Sequence, residues 1–347
     1  MPRRFGSVDL TLRVRSVTRS VTATLLLRRS VGRFLNRRSR RKRRGRWCQR
    51  GRGKHRGHLW HIHSARLGHH TALITKVGDD PLGRYVRAAL ERHGVTATGV
   101  KVHPTLATPV VFIELNPPTE PSIWFYRKPS APDEFLTVDD LDLQLVERVP
   151  VLWLTGGAMA FEPSASTMTA LLRTRGRRRH TVLDIDYRSM FWRSPADAGA
   201  AVRPLLDHVT VAVGNREECE VTVGTGDPQL AAARMLDHGV ELAVVKMGGD
   251  GVLAVASDGT SVVVPPTPVE VVCGLGAVDA FGGSLIDGLL RGATTGAALA
   301  DALTRANAAG AIVASRLLCS DDMPTATEID AMLATGIPPR RPPREES

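Results

Sequence analysis

Acidic side chains are nearly absent from the start of this chain. From Met1 to Gly57 the single Asp9 faces 20 Lys and Arg, whereas the residues beyond carry 26 basic against 34 acidic side chains. The net charge of +11 and the pI near 10.2 therefore describe a basic head on an acidic body. They assign no nucleic-acid or membrane partner to the body. Cysteine is scarce as well. Cys48, Cys219, Cys273 and Cys319 lie far apart with no C-x-x-C pair, which excludes a zinc ribbon or disulfide scaffold and fits a reducing cytoplasm. Long apolar runs are also missing. "VTATLLL" at Val21–Leu27 falls far short of the roughly 20 residues of a membrane span, so no membrane partner is expected.

The head, residues 1–62, is expected to be disordered. Its run "NRRSRRKRRGRWCQRGRGKHRG", Asn36–Gly57, has no apolar periodicity and too little apolar surface to offset the entropy of ordering. Such a run suits a phosphate-binding arm acting through counterion release, a transit peptide, or a segment without selected function, such as a frame-slipped translation of GC-rich DNA. The last reading is favoured, and nucleic acid is a partner only if the head is functional. Just downstream, "HLWHIHSARLGHH" gathers His58, His61, His63, His69 and His70, but no Cys or carboxylate adjoins them to complete a metal set. A solvated junction is the expectation.

From about Ser64 strand-like and helix-like segments alternate, the pattern of an α/β domain. "TALITKVG" (Thr71–Gly78) reads as a buried strand, and "PLGRYVRAALERHGV" as a helix spaced on Tyr85, Ala88, Ala89 and His93 and ended by Gly94. "TPVVFIEL" and "SIWFYR", separated by "NPPTEP", read as a hairpin-like insertion. "VLWLTG", "HTVLDID", "VTVAVG" and "LAVVKMG" are apolar throughout, as strands buried on both faces of a parallel sheet are. Ligands collect beyond the carboxyl ends of such strands. That draws attention to Asp184, Asp186 and Arg188, then Asn215 and Glu218, then Gly248 and Gly251.

The densest chemistry lies in "VVCGLGAVDAFGGSLIDGLL", Val271–Leu290. "GLGAVD" would expose the amides of Gly276, Ala277, Val278 and Asp279 at a helix start, a site suited to phosphate. An acid there repels that anion unless it has a task, such as taking the proton of a hydroxyl that attacks a phosphoryl group. The other reading is an acid favoured by the helix dipole, worth about 0.3–1 kcal/mol. The stretch alone leaves both open.

This stretch resembles the second signature of the PfkB (ribokinase-like) carbohydrate kinases, usually D-T-x-G-A-G-D-x-F. Further elements follow in the family's order over about Ser64–Thr325. "GDDPLGRYV" (Gly78–Val86) resembles its G-x-D-x-x-G segment. "GNREE" contains its N-x-x-E, which implies that Asn215 and Glu218 organise magnesium, through water, and the nucleotide phosphates. "VVKMGGDG" looks like its nucleotide loop, with Lys246, Gly248 and Gly251, and "ANAAGAIVAS" is similar to the late helix whose Asn, here Asn307, lies near the nucleotide. "FYRKPSAPD", "DIDYRSMFW" and "CSDDMPT" look most like the branch acting on 5-dehydro-2-deoxygluconate in myo-inositol catabolism, with the 2-keto-3-deoxygluconate kinases next.

The resemblance implies an ATP-dependent sugar kinase using ATP and Mg2+. Asp279 would be the base, Gly276, Ala277 and Val278 the anion hole, and Tyr126, Arg127, Asp186 and Arg188 the ligands of a keto-deoxy sugar acid. It implies a ribokinase-like three-layer α/β/α fold with a mostly parallel central sheet and a small β lid near residues 108–128. The kinase domain would span 63–330, the polar tail 331–347, and a homodimer through the lid is one assembly it allows.

Three departures stand out. No Gly-Gly-x-x-x-Asn element lies between Met1 and His63, so the sugar pocket and lid are expected to be incomplete, with an exposed strand edge. Val278 stands where the family has Gly, and its branched side chain would crowd an anion approaching those amides. Cys273 and Gly274 replace the usual Asp or Asn and Thr pair. The alternatives are another kinase of the family, or a catalytically impaired remnant with a nucleic-acid-binding head.

Overall fold

Successive residues of the central strands point into opposite cores, and that alternation organises the molecule. The computed structural model describes residues 59–114, 122–317 and 320–339, with the strands at 21–25, 32–33 and 54–55. The chain opens with β1 (Val21–Leu25), β2 (Gly32–Arg33) and β3 (Lys54–His55). Then come α1 (Trp60–Arg66), β4 (His70–Gly78), α2 (Pro81–Arg92), β5 (Val95–Thr96), β6 (Val100–His103), β7 (Val110–Glu114) and β8 (Ser122–Tyr126). An alternating series follows: α3 (Leu143–Arg148), β9 (Leu152–Thr155), α4 (Ser164–Arg175), β10 (Thr181–Asp184), α5 (Pro195–Val202) and β11 (Val211–Asn215). It continues through α6 (Arg216–Val223), α7 (Pro228–Asp237) and β12 (Leu242–Lys246) to β13 (Val252–Ala256) and β14 (Ser261–Val264). Helices α8 (Ala277–Leu290), α9 (Gly296–Ala314) and α10 (Ala326–Thr335) complete it.

Strands β9 to β12 lie side by side and parallel, as their uninterrupted apolar character predicts. The hairpin β13–β14 adds an antiparallel edge beside β12 that the sequence pattern did not single out. A second sheet centres on β4, which pairs in parallel with β1, β5 and β6. A third forms the small β lid, in the order β3-β2-β7-β8.

Trp153, Val182, Val211 and Val244 join one core with Trp60 of α1, Leu90 of α2, Phe281 and Leu285 of α8 and Leu303 of α9. Leu152, Leu183, Ala212 and Val245, each one residue out of step, join the other with Val146 of α3, Leu171 of α4, Cys219 of α6 and Met235 of α7. A sheet apolar on both faces and covered on both by helices gives the expected three layers.

Arginines secure the helix ends beneath the second core. Arg175, 1% exposed, donates to the carbonyls of Val146 at 2.7 Å and Glu147 at 3.1 Å. Arg177 reaches Asp207 O, Arg203 reaches Thr222 O and Arg234 reaches Val223 O. Unpaired carbonyls at helix carboxyl ends are met by guanidinium groups.

Three expectations need correction. The buried face of α2 is Gly83, Val86, Ala89 and Leu90, while Tyr85 and Ala88 are exposed. The head contains three strands, with β1 paired to β4 and β2 to β7, so it is not uniformly without structure. Most of Asn36–Gly57, with Cys48, lies outside the described residues, as do His58 and Cys319. The tail assigned to 331–347 begins later, because α10 continues to Thr335 before Gly336 ends it in the left-handed region.

Candidate active site

The carboxyl ends of β10, β11 and β12 bring their polar residues together. Lys246 Nζ lies 3.6 Å from Asp184 Oδ1 and 3.7 Å from Glu218 Oε2. Burial favours the neutral amine, but the carboxylates of Asp184 and Glu218 outweigh it, and the Lys246 pKa is raised. Asn215 and Glu218 form a reciprocal cap. The Glu218 amide donates to Asn215 Oδ1 at 2.8 Å, and the Asn215 amide donates to Glu218 Oε2 at 2.7 Å. The N-x-x-E spacing thus fixes the start of α6 while holding Glu218 beside Lys246.

Gly248 and Gly251 come after β12 with φ of +63° and +91°. A Cβ on Gly251 would sit 2.1 Å from Val264 O, so close backbone approach to the end of β14 demands glycine there. Asn307 of α9 donates from Nδ2 to Pro265 O at 2.9 Å, bracing the loop after β14.

Gly276, at φ +90°, turns the chain into α8. Ala277 and Val278 open that helix, and Val278 is exposed. Asp279 stands in the first turn, and its Oδ1 accepts from the Leu59 amide at 2.7 Å. On α9, Gly310 lets the backbones close up, since a Cβ there would lie 3.1 Å from Ala277 O.

The residues expected to hold a sugar acid follow β10, for Asp186 and Arg188, and lie at the end of β8, for Tyr126 and Arg127. Asp186 is buried, has φ +43°, and accepts from Arg188 Nε at 3.0 Å; a left-handed non-glycine residue here is local strain of the kind found at working sites. Arg127 is half-buried, its side chain 8% exposed. Its Nε donates to Glu134 Oε1 at 2.9 Å, its Nη2 to Asp133 Oδ2 at 3.2 Å, and its guanidinium lies over the rings of Phe161 and Phe191. Tyr126, the preceding residue of β8, is 64% exposed and packs edge-on to Phe112. Tyr126 ends β8 exposed, whereas the Arg127 side chain just beyond it lies against its carboxylate partners.

The expected solvated junction is a buried helix. Trp60, His61 and His63 are each at most 1% exposed, and His63 Nε2 meets Ser284 Oγ of α8 at 2.9 Å. Burial, with Arg66 nearby, drives the His63 pKa down to about 3. Among the described residues no group of three or more His, Cys, Asp or Glu could hold a metal ion.

A profile of the pfkB family carbohydrate kinases matches residues 62–326. The chain belongs to the pfkB family. It is 30% identical over 283 residues to 5-dehydro-2-deoxygluconokinase 1 of Bacillus cereus, covering 79% of this chain and 83% of that protein. It is 30% identical over 271 residues to 5-dehydro-2-deoxygluconokinase of Clostridium perfringens, covering 76% and 79%. Its fold is that of a Vibrio cholerae fructokinase solved with fructose, ADP and calcium ion (TM-score 0.77, 24% identity, 91% of this chain and 100% of that one). It is also that of a putative ribokinase II from E. coli in complex with ATP and Mg+2 (TM-score 0.76, 21% identity, 90% and 99%).

For a pfkB kinase, the residues that sequence reasoning missed are Leu59 and His63, which tie α1 to the helix carrying Asp279. Leu59 and Ile62 do recur at helical spacing, but the interleaved histidines masked the apolar face.

Proposed function

We propose that this carbohydrate kinase transfers the γ-phosphoryl group of ATP to a hydroxyl of 5-dehydro-2-deoxygluconate or a related keto-deoxy sugar acid. The observation that supports this most is Asp279 fixed in the first turn of α8 beside the amides at the left-handed Gly276. Asp279 takes the proton of the attacking hydroxyl, and the amides of Gly276, Ala277 and Val278 balance charge on the phosphoryl oxygens as it moves. Lys246, Asn215, Gly248, Gly251 and Asn307 are assigned to the nucleotide side. Magnesium, when bound, neutralises phosphate charge. The absence of a multi-residue metal cage among the described residues fits an ion held mainly by phosphates and water, with Glu218 and Asn215 orienting the waters.

Arg188 is the better ligand for the sugar carboxylate, because Arg127 is already matched by Asp133 and Glu134. Arg127 Nη1, buried without a partner among the described residues, and Tyr126 and Asp186 complete the assignment. The exposed lid face of Phe112, Trp124 and Tyr126 suits a second copy of the lid. No described helix is long and apolar enough to cross a membrane, and the cytoplasm is the proposed compartment.

Coupled ADP detection over a panel of 5-dehydro-2-deoxygluconate, 2-keto-3-deoxygluconate, ribose and fructose tests the substrate, the first giving the highest kcat/KM. Asp279→Asn is expected to keep the fold and lose turnover by on the order of 10²- to 10⁴-fold. Equal turnover removes Asp279 from the role of base.

A further inference from the structure

The main chain at the start of α1 touches the candidate base. The Leu59 amide donates to Asp279 Oδ1 at 2.7 Å across 220 residues of sequence. Leu59 is itself 2% exposed, so the donor cannot swing away without opening the core.

Helix α1, which begins directly after Leu59, is held against α8 by close contacts. Ser64 Oγ donates to Gly283 O at 3.3 Å, and His63 Nε2 meets Ser284 Oγ at 2.9 Å. Glycine at 282 and 283 makes this spacing attainable: a Cβ on Gly283 would sit 2.6 Å from His63 Cδ2, and one on Gly282 3.1 Å from the Trp153 ring. The Trp60 and Trp153 rings pack at 5.0 Å between their centroids, seating α1 on the sheet as well as on α8. The position of the Leu59 amide relative to Asp279 is therefore set by a packed surface rather than by a loop.

We infer that the main-chain amide of Leu59 is a positioning group for the Asp279 carboxylate, holding its orientation for proton transfer through the docking of α1 on α8. The inference rests on the reading of Asp279 as the base. A carboxylate that loses this donor spends less time aligned with the acceptor hydroxyl, and misplacement of about 1 Å can lower a rate by roughly 10²-fold.

Leu59→Pro removes the donor at a residue whose φ of −92° is close to the range proline adopts; Leu59→Ala trims the side chain but keeps the amide. With ATP and the best acceptor of the panel, Leu59→Pro is expected to lower kcat roughly 10- to 100-fold while the KM for ATP stays near the native value. Leu59→Ala retains most of the native kcat per folded molecule. Gly283→Ala, which forces His63 and α1 off α8, lowers kcat in the same way. A readout independent of turnover is the urea-unfolding cycle of Leu59→Pro with Asp279→Ala. The proline should destabilise the native protein at least twice as much as it destabilises the Asp279→Ala protein. Additive effects in that cycle, or native kcat in a folded Leu59→Pro protein, overturn the inference. If Asp279→Asn retains turnover, the base assignment fails instead, which is a different result.

Discussion

The two faces of the central sheet are built by different means. On the face of α3 to α7 the core is mostly leucine, valine, alanine and methionine, and the buried Arg175 donates from Nη1 to the helix-end carbonyls of Val146 and Glu147. On the face of α1, α8 and α9, glycines 282, 283, 288 and 310 admit neighbours whose atoms would lie within about 3 Å of an added Cβ. That face also buries polar rings incompletely bonded, for Trp60 Nε1 and His63 Nδ1 have no partner among the described residues. Both faces contain close approaches and buried polar atoms without a partner among the described residues, Gly199, Arg175 Nη2 and Thr222 Oγ1 being examples on the first, but only on the second do the glycine-lined contacts lie on the helix that carries the candidate base. Departures from ideal packing are expected where function is located.

The sharpest test of this contrast pairs two core truncations. Trp60→Ala is expected to lower stability by about 3–5 kcal/mol and Leu171→Ala by about 2–5 kcal/mol in chemical unfolding. Only the first should also reduce turnover per folded molecule; equal damage to turnover from both would erase the distinction. A smaller effect separates the faces by pH. The His63 pKa lies near 3 in the folded chain against 6.5 for the free side chain, so the unfolded chain binds the extra proton between those values. Stability from this group is complete above about pH 6.5 and drains away as pH falls towards 3, by at most about 1.4 kcal/mol per pH unit. His63→Asn should flatten that slope in urea titrations at pH 7, 6 and 5. On the opposite face Cys219 is pushed up to about 12 by burial and contributes no slope in that window. The smallest effect distinguishes two caps on the same face. Asn215→Ala and Asp227→Ala each remove a helix cap and should cost about 1 kcal/mol in thermal unfolding. Asn215→Ala alone should raise the KM for ATP.

The sheet was legible because its strands are short apolar runs bounded by Gly, Asp or Asn, and β9 to β12 fall where those runs stand. Asn215 and Glu218 stood out by their N-x-x-E spacing, and the structure adds that the pair caps α6. Helix α1 was not legible, since His61, His63 and Ser64 resemble a solvated face until the glycine groove of α8 is present to bury them. The partners of Arg127, Asp133 and Glu134, were hidden because the chain returns to them through a turn with no periodic signal.

Arg175, Arg177 and Arg178 belong to the sequence "RTRGRRRH", which looks like spare surface charge. Each grips carbonyl oxygens of another segment, so redesigns that neutralise this stretch to improve solubility would unpin several joints together. A lysine replacement would keep the charge and lose the fork that reaches two acceptors. Positive charge is more safely engineered out elsewhere in this chain.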